Sequence, residues 1–152
     1  MSLLPVRLAA LAACVLLGTG TARAEPASPE VRAAVGKVLT DSAAAYSAGD
    51  LKGFMESYEA SPETTFVSGG RLVTGAEAIA GVYGPRFASG ADLGKLSLEL
   101  ENVRALGPDH VLAIGRFKVD MADPKAADAT GIFSLLFHKT AAGWRIAADH
   151  TS

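Results

Sequence analysis

Residues that would point to a particular chemistry are scarce in this sequence. The 152 residues include one cysteine, three histidines and one tryptophan, and aromatic residues make up 7% of the chain. A single cysteine cannot close an internal disulfide, so the class of small disulfide-stapled domains is excluded. The histidines do not fall at metal-ligand spacings such as His-x-His or His-x₃-His, and we therefore predict no metal site.

Short motifs of the common nucleotide-binding and hydrolase folds are also absent. No Gly-x-Gly-x-x-Gly follows a predicted strand, and neither a Walker loop nor a Gly-x-Ser-x-Gly elbow occurs, so we predict no cofactor. Lys and Arg number 14 against 16 Asp and Glu, and the basic residues are scattered. Nucleic-acid binding, which needs a basic patch, is therefore not expected.

The N-terminal stretch is typical of a secretory leader. Arg7 precedes an apolar run over residues 8–17, and Ala22-Arg23-Ala24 places small residues at the −3 and −1 positions of a cleavage site. We predict that residues 1–24 are a signal peptide, that residues 25–152 form a single domain, and that the protein is periplasmic or secreted. The apolar run is about ten residues, short of the ~20 that a membrane-spanning helix needs.

A lipid anchor is the alternative for the same stretch. Leu11-Ala12-Ala13-Cys14 resembles a bacterial lipobox, in which the cysteine is lipidated. Because the apolar run continues past Cys14, where a lipoprotein usually turns polar, we favour cleavage after Ala24.

Helical periodicity opens the predicted domain. Apolar residues recur at three- and four-residue spacing from Val31 to Tyr46, with Ser28 and Pro29 suited to the N-cap and the first helical position. Gly49 is expected to end this helix.

Two further helices are predicted. Asp50 is expected to cap a short second helix. Thr74 and Glu77 have the spacing of a capping box for a third helix, and Gly84-Pro85 is expected to end it.

The remaining segments alternate with the period of two that is typical of strands. Gly69-Gly70 joins two short runs into a predicted hairpin, and four longer strands follow, around Leu96–Leu100 and over residues 110–120, 131–139 and 144–152. Helices followed by a meander are an α+β order. We predict a curved antiparallel sheet packed on three N-terminal helices, forming a half-open cone with an apolar cavity.

Three segments together resemble the nuclear transport factor 2-like superfamily, in its SnoaL-like and domain-of-unknown-function branch. They are Ala45-Tyr46-Ser47-Ala48-Gly49-Asp50-Leu51, Phe66-Val67-Ser68-Gly69-Gly70 with Thr74-Gly75, and Gly143-Trp144-Arg145-Ile146 with the ending Asp149-His150-Thr151-Ser152. The last segment also resembles the end of the calmodulin-dependent kinase association domain. The resemblance implies the cone fold over residues 31–152 and a homodimer through the outer sheet face. It leaves the function open, because this fold hosts enzymes, ligand binders and assembly domains.

The resemblance permits a test of one activity. The ketosteroid isomerase branch of the superfamily uses a tyrosine, a carboxylate base and a protonated aspartic acid. Alignment on the shared segments places these roles at Ser42, Ser68 and Leu135. None of the three supplies the required group, so isomerisation by that machinery is not expected.

Acid–base candidates remain at the end of the chain. SnoaL-like cyclases need an acid–base group inside the cone, and our best catalytic candidates are Asp149 and His150. Adjacent strand residues point to opposite faces, so only one of them can enter the cavity. The resemblance implies that Asp149 and Thr151 face inward, which places His150 on the outer face with Trp144 and Ile146. The structural alternative for Asp149 is an ion pair with an arginine such as Arg145 or Arg116.

His138 and Glu59 are lesser acid–base candidates. For His138, the alternation of the strand over residues 131–139 predicts an outward side chain.

The candidate ligand-binding residues are expected on the faces that line the cone. The tyrosine hydroxyls would orient a ligand, and an arginine after the Gly-Pro break would attract an acidic one. The set is Tyr46, Tyr58, Ser68, Arg86, Phe133, Leu135 and Phe137.

The favoured hypothesis is an exported protein that binds a small apolar or weakly acidic molecule in the cone. The alternatives are a SnoaL-like acid–base enzyme of the isomerase, cyclase or dehydratase type, and a dimeric assembly module.

Overall fold

A computed structural model describes residues 24–90 and 92–152. Residues 1–23 of the predicted signal peptide, and with them the lipidation alternative at Cys14, lie outside the described residues. The helices are α1 (Pro29–Ser47), α2 (Leu51–Met55) and α3 (Ala76–Ala88). The strands are β1 (Glu25–Pro26), β2 (Thr65–Ser68), β3 (Arg71–Thr74), β4 (Lys95–Ala105), β5 (His110–Asp120), β6 (Ala129–Thr140) and β7 (Gly143–Thr151). Within these residues, no helix combines the length and apolar character needed to cross a membrane.

One seven-stranded sheet in the order β1-β4-β5-β6-β7-β2-β3 forms the curved wall of the cone. Strands β4 to β7 make the predicted antiparallel meander. The short β2–β3 hairpin is also present, but β2 joins the sheet parallel to β7, a pairing that the meander pattern did not indicate. The predicted α+β class, with the helices packed on one face of the sheet, is confirmed.

Local capping fixes both ends of α1 and the start of α2 as the sequence predicts. The Ser28 hydroxyl accepts a hydrogen bond from the Val31 backbone N–H at 3.3 Å. Gly49, with φ of 70°, follows the end of α1 in a left-handed conformation that favours glycine. Asp50 then caps α2 by accepting from the Gly53 N–H at 2.9 Å.

Two predictions for α3 are wrong. The N-cap is Gly75, which makes no side-chain capping bond, so the Thr74–Glu77 capping box does not form. The helix also continues through Pro85 to Ala88. The ring of Phe87, beyond the proline, packs 5.5 Å from Tyr46 and 5.6 Å from Phe54. This aromatic packing offsets the lost backbone hydrogen bond, a tertiary contribution that local pattern does not reveal.

A β-bulge in β7 changes which of its side chains face the helices. Leu136 of β6 opposes Ala148, whereas Phe137 opposes Ile146, so Ala147 is an extra residue in the ladder. The bulge reverses the alternation of β7, and Trp144 and Ile146 are buried at 8% and 3% exposure. The expectation that these two side chains share the outer face with His150 is therefore wrong.

A substitution of Gly115 in β5 measures how tightly the sheet packs at this position. An added Cβ would overlap the Glu99 backbone oxygen and the Phe133 ring, so Gly115→Ala should lower the free energy of unfolding by about 2 kcal/mol. Urea unfolding measures this change. Gly81→Ala is the matched control, since its Cβ meets nothing within 4 Å on α3 and should stabilise by roughly 0.5–1 kcal/mol. Equal effects of the two substitutions would contradict this packing.

Candidate functional site

A cavity of about 490 Å³ lies between the helices and the concave face of the sheet. Its walls are mostly aliphatic and aromatic, and residues that contribute include Leu39, Phe54, Leu96, Leu98, Phe117 and Phe133. Three of its exposed wall residues, Arg71 on β3 and Val82 and Arg86 on α3, define what we call the mouth of the cavity. A volume of this size suits a small organic molecule.

A buried group of polar side chains interrupts the apolar wall. The Tyr58 hydroxyl donates to Oδ2 of Asp149 at 2.7 Å, and the Thr151 hydroxyl donates to Oδ1 at 2.7 Å. Tyr58 is 5% exposed and Asp149 is 7% exposed. Both carboxyl oxygens of Asp149 therefore have a hydrogen-bond donor, which a buried carboxyl group requires.

Tyr83, on α3, also lines the cavity, and burial together with the negative charge of Asp149 raises its pKa. We call Tyr58, Tyr83, Asp149 and Thr151 the Tyr–Asp cluster.

Backbone pairing holds Tyr58 beside Asp149. The segment after α2 bonds to β7 on both sides of Tyr58: the Ile146 N–H donates to the Ser57 carbonyl at 2.8 Å, and the Glu59 N–H donates to the Ile146 carbonyl at 2.9 Å. The bulge at Ala147 then brings Asp149 to the inner face. The hydroxyl and the carboxyl are therefore positioned by backbone hydrogen bonds rather than by flexible loops.

Burial sets the protonation behaviour of the Tyr–Asp cluster. Burial raises the pKa of Asp149 above its ordinary value of 3.8, although the hydrogen bonds from Thr151 and Tyr58 act in the opposite direction. Burial likewise raises the pKa values of Tyr58 and Tyr83, which keeps both phenols protonated. The cluster can therefore donate and accept hydrogen bonds, and Asp149 can exchange a proton with a molecule in the cavity.

Most of the predicted ligand-binding residues line the cavity. The structure brings together Tyr46, Tyr58, Ser68, Arg86, Phe133 and Leu135 in its wall. Phe137 is the exception and corrects our expectation, because its side chain is fully buried in the apolar core. The cavity ends between Leu135 and Phe137 along β6. The role of the lining residues in binding stays a prediction.

Of the two catalytic candidates, only Asp149 reaches the cavity, since His150 is exposed on the opposite face of β7. The ion-pair alternative for Asp149 is wrong. The Arg145 guanidinium donates to the Trp144 carbonyl, and that of Arg116 pairs with Glu101. Asp149 is the only carboxylic acid among the described residues that line the cavity.

His138 and Glu59 form a separate pair that does not line the cavity. Nδ1 of His138 lies 3.1 Å from both carboxyl oxygens of Glu59. The His138 ring stacks on that of His110 at 4.7 Å. These groups therefore have structural partners and no access to a molecule in the cone.

The positions aligned with the isomerase machinery do face the cavity. Ser42, Ser68 and Leu135 all contribute to its wall, but they supply two hydroxyls and an aliphatic chain. No described group of three or more histidine, cysteine or acidic residues has the arrangement of a metal site.

Tyr83 and Arg71 are the lining residues of chemical interest that sequence reasoning missed. Tyr83 lies four residues from Ile79 and from Phe87, which is the spacing of one helical face, and that pattern was available in the sequence. Arg71 carries no comparable signal, because only the pairing of the hairpin with β7 brings it to the cavity.

Comparison with known proteins agrees with this architecture. Residues 35–152 match the family model described as a SnoaL-like domain. A structure of an NTF2-like protein of unknown function from Shewanella oneidensis MR-1 superposes with a TM-score of 0.74 at 23% identity, covering 80% of this chain and 98% of that one. An NTF2-like superfamily protein from Salmonella enterica serovar Typhimurium LT2 gives 0.65 at 22% identity, covering 83% and 92%. No curated protein matches the chain.

These findings define the class first: the molecule has the nuclear transport factor 2-like cone fold. The chain belongs to the SnoaL-like domain family, whose model matches residues 35–152. The structural similarities lie below 25% identity and concern the fold alone.

Replacing Asp149 by asparagine should change the pH dependence of stability. The folded-state pKa of Asp149 is raised, so its stabilising contribution is fully present below its ordinary pKa of 3.8 and is lost as the pH rises through the folded value. Asparagine does not titrate. Urea unfolding between about pH 3 and pH 8 should therefore show stability shifting in favour of Asp149→Asn as the pH rises. Parallel profiles for the two proteins would mean that Asp149 is not perturbed.

Proposed function

We propose that this domain binds a small, mainly apolar molecule in the cone, and that the Tyr–Asp cluster anchors a polar group of that molecule. The observation that carries the proposal is a buried, hydrogen-bonded polar cluster in a mainly apolar cavity of about 490 Å³. Apolar walls with a few convergent polar groups are typical of ligand sites.

The hydrogen-bonding capacity left in the cluster indicates what it would anchor. The hydroxyl protons of Tyr58 and Thr151 are both directed to Asp149. The remaining lone pairs of Asp149 can accept from a ligand hydroxyl, and its protonated form can donate to a carbonyl oxygen. Burial of the apolar remainder of the ligand would contribute roughly 25 cal/mol per Å².

Filling the mouth of the cavity should block binding. Val82 lines the cavity and is 40% exposed, so a tryptophan can be accommodated there while narrowing the entrance. N-phenyl-1-naphthylamine, an uncharged probe that fluoresces in apolar surroundings, should bind the wild-type chain and bind Val82→Trp about tenfold more weakly, the effect of losing about 1.4 kcal/mol of contacts.

Leu72→Trp is the matched control, since Leu72 is 67% exposed and does not line the cavity. It should bind the probe as the wild type does. Equal affinity of the probe for the two variants would mean that the probe binds outside the cavity, and this result would contradict the proposal.

An acid–base enzyme is the second candidate, favoured by the buried Asp149 with its raised pKa beside two tyrosines. Asp149 would remove a proton from a carbon acid, and the Tyr83 hydroxyl, which also lines the cavity, would stabilise the negative charge that develops. This role needs the same cavity, so it adds chemistry to the binding function rather than replacing it.

Proton transfer can be tested with phenylacetone, an apolar ketone with acidic α-protons. In deuterated buffer the wild-type chain should accelerate exchange of those protons, and Asp149→Asn should remove most of the acceleration, because positioned general bases contribute about 10²–10⁴-fold. Proton NMR follows the exchange directly. Exchange at the buffer rate with both proteins would leave a binding protein without this chemistry.

Export and dimerisation remain part of the proposal. The leader pattern of residues 1–24 supports export to the periplasm or medium. The outer face of the sheet carries Leu112 and Leu136, which are paired across β5 and β6 and half-buried, and Ile132, which is 45% exposed. This apolar surface supports a homodimer.

A further inference from the structure

Two cations lie at the mouth of the cavity without an acidic partner. Arg71 begins β3, Arg86 lies in the last turn of α3, and both line the cavity and are exposed. The ion pairs between described residues all involve other side chains. The two guanidinium groups are therefore free to meet a negative charge that arrives with a ligand.

The surroundings of each arginine direct it to the cavity. The Arg86 guanidinium lies 5.6 Å from the centre of the Tyr46 ring, which is buried in the cavity wall. This cation–π contact holds the charge at the edge of the apolar space. Arg71 pairs across the hairpin with Ser68, which in turn pairs with Thr151 on β7, and these residues all line the cavity.

The charged groups of the cavity wall thus differ in their exposure to solvent. The two cations are at the exposed mouth, whereas the acid of the wall, Asp149, is buried and held by two hydroxyl donors. A ligand carboxylate would be attracted by Arg71 and Arg86, and it would be repelled beside an ionised Asp149. A ligand with one charged end is therefore oriented with that end outward and its apolar body inward.

We infer that Arg71 and Arg86 select an amphipathic carboxylic acid, whose carboxylate they bind at the mouth while its apolar body fills the cone. The inference rests on the proposed function and names the ligand class. The planar guanidinium fork suits a carboxylate, which it can bind through two parallel hydrogen bonds.

A pair of probes that differ only in charge tests this inference. 1-Naphthaleneacetic acid and 1-naphthaleneacetamide share one ring system and almost one shape, and calorimetric titration measures the affinity of each. The wild-type chain should bind the acid about tenfold more tightly than the amide, since two partly exposed ion pairs together contribute about that factor. The preference should shrink at high salt.

Variants assign the preference to the two arginines. The double variant Arg71→Gln/Arg86→Gln should bind the two probes with equal affinity, because the positive charge that favours the acid is gone. Lys52→Gln is the control, because it removes a positive charge from the exposed face of α2, away from the cavity. It should keep the preference for the acid.

The results distinguish binding in the cavity from the selection of a carboxylate at its mouth. Equal binding of acid and amide by the wild type, or a preference that persists in the double variant, would overturn the selection of carboxylates and leave cavity binding intact. Failure of both probes to bind the wild type would overturn the binding function and this inference together.

Discussion

The extra residue in β7 decides which side chains of that strand enter the cone. Before the bulge at Ala147, Trp144 and Ile146 face the helices; after it, Asp149 and Thr151 face the cavity. In an unbroken ladder strict alternation would send one of these two pairs to the outer face. The strand β7 therefore supplies two residues of the apolar core and also Asp149, the only carboxylic acid among the described residues that line the cavity.

The site depends on how that acid is accommodated. A buried carboxyl group is costly unless its oxygens are hydrogen-bonded, and Tyr58 and Thr151 supply a donor to each oxygen. The same burial raises the pKa of Asp149 and gives the cavity a polar group that can exchange a proton. The opposing charges of Arg71 and Arg86 stay at the solvent-exposed mouth. The apolar wall and these charged groups together set the polarity pattern expected of a ligand.

Sequence reasoning succeeded where the determinants are local. The caps at Ser28 and Asp50 follow from side-chain oxygens next to helical periodicity, and the order of elements follows from the change of period. It failed where tertiary contacts decide. The helix through Pro85 depends on aromatic packing beyond it, and the bulge at Ala147 depends on pairing with two neighbours at once. Tyr83 precedes Pro85 and lies within the predicted helix, and its spacing from Ile79 was a signal that the sequence carried.

Native mass spectrometry of the untagged chain, isolated gently from the cells that make it, tests the central claim most directly. The account predicts a species heavier than the bare chain by one small molecule that fits a cavity of about 490 Å³, and loss of that mass in Val82→Trp. A bare chain in both proteins, or an added mass that survives the substitution, would contradict a ligand site in the cone.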